Sequence, residues 1–132
     1  MWRDEALTAA SYRGQAARIC QESDRRTHEL QPPRNVTQLQ DFLEKGLRIT
    51  ERSVKDFKAL EPPQDLKTKH DGAVEALDRE VADLSALEQA ISGDDANAEQ
   101  AFTTAQPELE RDQAAVERAM KALGLEECTP QS

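Results

Sequence analysis

QDLKTKHDGAVEALDREVADLSALEQAI, residues 64–91, contains no proline and has the most regular apolar spacing in the chain. Leu66, Val74, Leu77, Val81, Leu84, Leu87 and Ile91 fall mostly three or four residues apart. That spacing lines one face of an α-helix, whereas a half-buried strand would alternate every second residue. The other face carries Lys67, Lys69, Asp71, Glu75, Asp78, Arg79, Glu80 and Asp83. An amphipathic helix of this kind is marginal alone and becomes stable when its stripe is buried against partners.

The flanking sequence supplies three such partners. Upstream, a first helix is expected from about Glu5 to Leu30, with Ala9, Tyr12, Ala16, Ile19, Ser23 and Leu30 on its stripe. The stripe is thin at both ends, so residues 1–11 are expected to fray or project. Pro32 and Pro33 stop this helix, because proline donates no amide hydrogen and disfavours helix at the residue before it. A second helix is expected from Gln38 to Leu60, with Thr37 and Gln40 in a capping-box pattern. Its stripe is Leu39, Phe42, Leu43, Leu47, Thr50, Val54, Phe57 and Leu60. Gly46 lies mid-helix, as a close helix crossing or as a tolerated surface glycine. Pro62 and Pro63 end this helix and suit the first turn of the next.

Downstream, Gly93 is a candidate C-cap, and Asp94 or Asp95 a candidate N-cap whose charge suits a helix N-terminus. The fourth helix carries Ala98, Phe102, Ala105, Leu109, Val116, Met120 and Leu123. Pro107 lies inside it. Because the apolar spacing continues across the proline, a kinked single helix is expected over two pieces. Gly124 closes it, and Leu125 is placed to pack back in a Schellman ending. Short links between long helices force antiparallel neighbours. The expectation is one all-α domain over 1–132, an antiparallel up-down-up-down four-helix bundle with a C-terminal tail at 125–132. Leu43, Leu47, Val54, Leu77, Val81, Leu84, Leu109, Val116 and Met120 are its expected core.

Charge excludes several roles. Seventeen Lys and Arg stand against 26 Asp and Glu, for a formal charge of -9. Nucleic acid requires a basic footprint, and anionic membrane surfaces a polybasic one. Lys45, Arg48, Arg52 and Lys55 are interleaved with Glu44, Glu51 and Asp56, the pattern of a solvated face. No apolar run approaches the ~20 residues of a membrane span. Trp2-Arg3-Asp4-Glu5 is followed by no apolar signal core. Either the chain is cytosolic or an export signal or anchor precedes it.

Chemistry is sparse. Glu-x-x-His, His-Glu-x-x-His, a glycine-rich phosphate loop and a recognisable Ser-His-Asp order are all missing. Asp24 and His28 stand four apart on one helix, and His70 adjoins Asp71, but two histidines on separate helices occur by chance. No catalytic, cofactor-binding or metal residue is therefore assigned, and an enzyme is not expected. Trp2 and Tyr12 are amphipathic aromatics that suit either a contact surface or an untethered tail. Leu87 and Ala90 either widen the core stripe or form a second contact. Cys20 and Cys128 lack the spacing of a zinc site or a redox pair. They are two unrelated buried thiols or, more economically, a disulfide.

Leu60-Glu61-Pro62-Pro63-Gln64-Asp65-Leu66, followed by His70 and the Val74 to Leu84 helix, and the ending Leu123-Gly124-Leu125-Glu126-Glu127-Cys128 carry a resemblance. With the Tyr12 to Cys20 segment they resemble a group of uncharacterised helical proteins of actinobacteria and related bacteria. These are generally exported, or attached by an N-terminal signal or membrane helix. The similarity covers nearly the whole chain, and its most specific pieces, L-x-P-P-x-D-L and L-G-L-x-x-C, are short. It implies an extracytoplasmic setting and a Cys20–Cys128 bridge, but brings no established activity. The missing signal segment departs from the pattern. The resulting expectation is a non-enzymatic extracytoplasmic module for binding or envelope scaffolding, with an unidentified protein or envelope partner. The alternative is a small-ligand or sensory bundle with a cavity near Gly46 and Pro107.

Overall fold

The computed structural model describes residues 8–91 and 95–128. It contains four α-helices: α1 Ala9–His28, α2 Val36–Lys58, α3 Lys67–Ala90 and α4 Asp95–Ala122. Short 3-10 turns, Gln64–Leu66 and Glu126–Cys128, precede α3 and follow α4. The described residues include no strand. Neighbouring helices pack in chain order, α1 on α2, α2 on α3 and, most extensively, α3 on α4. This is the expected all-α four-helix bundle. The turn Glu126–Cys128 touches both α1 and α4 and joins the first helix to the last.

Several boundaries moved for identifiable reasons. α1 begins at Ala9 because Thr8 caps it, its side chain accepting from the Ser11 amide. Residues 8–11 are thus cap and first turn, with Ala9 packed against the core. Residues 1–7 of the expected projecting segment, Trp2 among them, lie outside the described residues. α2 is capped by Asn35, not Thr37. The Asn35 side chain accepts from the Gln38 amide, while the Gln38 side chain accepts from the Arg34 amide. The arrangement is close to a capping box, two residues earlier than expected, except that Gln38 reaches the amide before the cap and not that of the cap itself.

α4 is a single helix with Pro107 inside, which excludes the two-piece reading. Proline removes one amide donor, and the helix continues on either side of it. Gly93 and Asp94 lie outside the described residues, as does the Asp95 side chain. The far end of α4 is the expected Schellman ending. Gly124 has φ 78°, the Leu125 amide donates to the Met120 carbonyl, and the Gly124 amide to Lys121. Leu125 turns inward and is fully buried.

The apolar interior is in two pieces. At the end where α1 begins, Tyr12, Ala16, Phe57, Leu66, Ala73, Ala76, Val116, Met120, Leu123 and Leu125 pack together. Toward the other end, Leu87, Ile91 and Ala98 pack with Leu39, Leu43, Phe102 and Leu109. Of the expected core, Val54, Val116 and Met120 are buried, whereas Leu43, Leu47, Leu77, Val81, Leu84 and Leu109 are only half-buried. On α3 the buried line is His70, Ala73, Ala76 and Leu87, continued by Leu66 and Ile91 at its two ends. The buried positions 73 and 76 are small alanines, and the larger Val74, Leu77 and Val81 beside them are half-buried. Gly46 marks no close crossing, since a Cβ there would meet nothing within 4 Å.

Candidate functional site

Four features could carry function.

The first is the covalent pin. Cys20 on α1 and Cys128 in the last turn form a disulfide across 108 positions, with Cα atoms 5.2 Å apart. Its register follows from the end of α4. Arg13 Nε donates to the Leu123 carbonyl at 2.8 Å, so Arg13 stands beside the terminus of α4. Cys20 lies seven residues further along α1, about 10 Å. The turn Glu126–Cys128 packs on α1, with Cys128 Sγ 3.8 Å from the Ala16 carbonyl, and brings Cys128 to Cys20. The guanidinium also satisfies a carbonyl that has no partner inside its own helix, where a positive charge is favoured.

The second feature is buried and polar. Tyr12 and His70 lie in the core, with the Tyr12 hydroxyl 2.6 Å from His70 Nδ1. Phe57 stacks on the imidazole with ring centroids 4.7 Å apart. Burial pushes the Tyr12 phenol up to about 12, with Arg13 opposing. Burial also holds His70 below its ordinary value, with Asp71 and Glu61 opposing and Lys67 assisting. The phenol therefore keeps its proton, and the Tyr12 hydroxyl and His70 Nδ1 share a hydrogen bond whose donor follows the imidazole tautomer. The pair ties α1 to α3. Tyr12 is thus an interior anchor and not a surface contact.

The third feature is a pair of hollows. A partly open cavity of about 250 Å³ lies between the helices, lined by Ile19, Val54, Phe57, Leu77, Val116 and Met120, with the disulfide and Glu80 on its wall. Burial raises the Glu80 carboxyl. A larger groove of about 590 Å³ runs between α3 and α4 over Leu87, Ala90, Ala101 and Ala105, with Asp83 and Glu108 at its rim. Gly46 and Pro107 line neither hollow.

The structure does not bring the sequence candidates for metal binding together. His28 Nδ1 lies 2.7 Å from the Asp24 backbone carbonyl, and Asp71 pairs with Lys67 at 3.2 Å. His70 is committed to Tyr12. On α2, Arg48 pairs with Glu44 and Lys45 with Asp41, as a solvated face requires. Leu87 belongs to the core, and Ala90 lines the groove.

A group absent from the sequence candidates forms instead. Asp83, Glu108 and Asp112 converge at the α3–α4 seam. The signal was present in the sequence: Leu109, Asp112 and Val116 continue one helical stripe, with an acid at its centre. His70 likewise fills the gap between Leu66 and Val74 on α3. No family model, curated protein or solved structure matches this chain.

Proposed function

We propose that this protein is a non-enzymatic, extracytoplasmic helical module that acts through its surface, in binding or envelope scaffolding. The observation that supports this reading is the Cys20–Cys128 bridge. A structural disulfide persists where the environment is oxidising and is rare where glutathione keeps thiols reduced. The resemblance to exported bacterial helical proteins points the same way. No helix among the described residues is long and apolar enough to cross a membrane. The test combines fractionation of native cells with a thiol count on denatured, unreduced protein. Recovery outside the cytoplasm with no reactive thiol is expected. A cytoplasmic protein with two thiols per chain would overturn the proposal.

The cavity favours a second reading, a small-ligand or sensory bundle. At about 250 Å³ it lies below the ~300–1,000 Å³ usual for ligand pockets, yet above the ~150 Å³ that holds benzene. A small apolar ring is therefore the test ligand. Saturation-transfer NMR with indole should give a signal that Val116→Phe abolishes. Absence of a signal in the parent protein would reject this reading.

A further inference from the structure

The two apolar clusters of the core do not meet. On α3 the first ends at Leu77 and the second begins at Leu87. On α4 the second ends at Leu109 and the first resumes at Ala115. The intervening turns carry Asp83 on α3 and Glu108 and Asp112 on α4. One carboxylate oxygen from each of the three lies within 4.8 Å of the other two.

Asp112 is the independent observation. It is only 5% exposed, and its Oδ2, itself covered, has no hydrogen-bond partner in the protein. Its carboxyl is hydrogen-bonded to Asp83 through its other oxygen, with the negative charges of Asp83, Glu108 and Glu80 around it. Arg111 is the cation paired at this level, and it binds Glu108 on the exposed side. A buried carboxylate among like charges is costly unless something positive compensates it. The second oxygen of Glu108 remains for another partner.

We propose that Asp83, Glu108 and Asp112 bind a divalent cation, calcium in preference to magnesium, across the α3–α4 seam. The donors are all carboxylate oxygens, the choice of hard ions over zinc or copper. Calcium accepts several carboxylate oxygens in flexible geometry, which suits three carboxylates from two helices. Magnesium demands near-ideal octahedral geometry, keeps several waters and is usually held by only one or two carboxylates. Water completes the shell on the exposed side. The bound ion links α3 to α4 at the level where apolar packing lapses. This site is independent of the compartment and of the indole-sized cavity.

The experiment uses the full chain, stripped with EDTA and dialysed. Calcium and magnesium are titrated calorimetrically at neutral pH in physiological salt, and manganese is counted by paramagnetic resonance as a second readout. One calcium per chain is expected, with a dissociation constant at or below about 10⁻³ M, the range of extracellular sites. Asp83→Asn and Asp112→Asn should each weaken binding at least tenfold while keeping the helical circular-dichroism spectrum. Should Asp112→Asn fail to fold, the exposed Glu108→Gln and half-buried Asp83→Asn carry the test. Absence of binding to the parent protein would overturn the site, leaving a shared proton or an ordered water as the partner of Asp112. Equal binding by parent and variants would also overturn it, by assigning the ion to the general negative surface. Tighter binding of magnesium than calcium would overturn the stated preference.

Discussion

Asp112 occupies a stripe position where packing calls for an apolar side chain. Its carboxyl is pushed up to about 6 by burial and by Asp83. Ionising it at neutral pH therefore costs the metal-free fold up to about 3 kcal/mol, at ~1.4 kcal/mol per pKa unit. Asp112→Asn keeps the shape, removes the charge and adds a donor toward Asp83. Urea denaturation at pH 7 in EDTA should show it more stable than the parent by about 1–3 kcal/mol. A less stable variant would mean that the native carboxylate is already compensated. His70 works in the opposite sense. Its folded pKa is depressed by burial, so the unfolded chain takes up the proton first. The stability this provides is complete above about pH 6.5 and declines as the pH falls toward the folded value. His70→Gln keeps an acceptor for Tyr12 and removes the titration. Stability measured from pH 6.5 down to about pH 5 should fall less steeply in the variant. Asp112 titrates in both proteins, so its contribution cancels in the comparison.

Among elements, the ends of the helices are the most sharply specified. Gly124 adopts φ 78°, and a Cβ there would lie 2.8 Å from Arg13 Nε. Gly124→Ala should therefore cost about 1–2 kcal/mol for the left-handed backbone. It should also displace Arg13 from the Leu123 carbonyl. Gly14 is mid-helix and a Cβ there meets nothing within 4 Å. Gly14→Ala should stabilise by about 0.5–1 kcal/mol. Opposite signs for the two substitutions in thermal melts are the expected result. Two losses would show that the surroundings of Gly14 are closer than drawn. The half-buried line on α3 makes a related forecast. Leu123→Ala empties a fully buried site and should cost about 2–5 kcal/mol. Leu84→Ala removes a half-buried side chain and should fall below that range.

For the whole molecule, the disulfide closes the first helix onto the last turn. In the chain-entropy model, a loop of about 100 residues is worth about 4–5 kcal/mol. Cys20→Ser with Cys128→Ser should lower the denaturation midpoint accordingly while leaving the helical spectrum intact. Since α1 meets the end of α4 through that tail, hydrogen exchange in the variant should rise first in Tyr12 to Cys20 and Leu125 to Cys128. Uniform acceleration over all four helices would show that the pin acts on the unfolded chain alone.

The sequence by itself determined the helices, their number and their antiparallel order, because 3.6-residue periodicity, proline breaks and short links act locally. The Schellman ending at Gly124 and Leu125 was legible for the same reason. The Cys20–Cys128 bridge was the more economical of two readings open on the residues, and only the tertiary structure brings the two Cα atoms to 5.2 Å. Which flank of each stripe faces the centre was decided only in the tertiary structure. Helix rotation depends on how side chains of unequal size interlock, and α3 buries Ala73 and Ala76 while Leu77 and Val81 are only half-buried. The acidic layer was hidden for a related reason. Asp83 and Asp112 are ordinary surface acids in a one-dimensional pattern, and they become neighbours only when α3 and α4 pack in one register. That register places two clusters of apolar side chains end to end, and the charges occupy the gap between them.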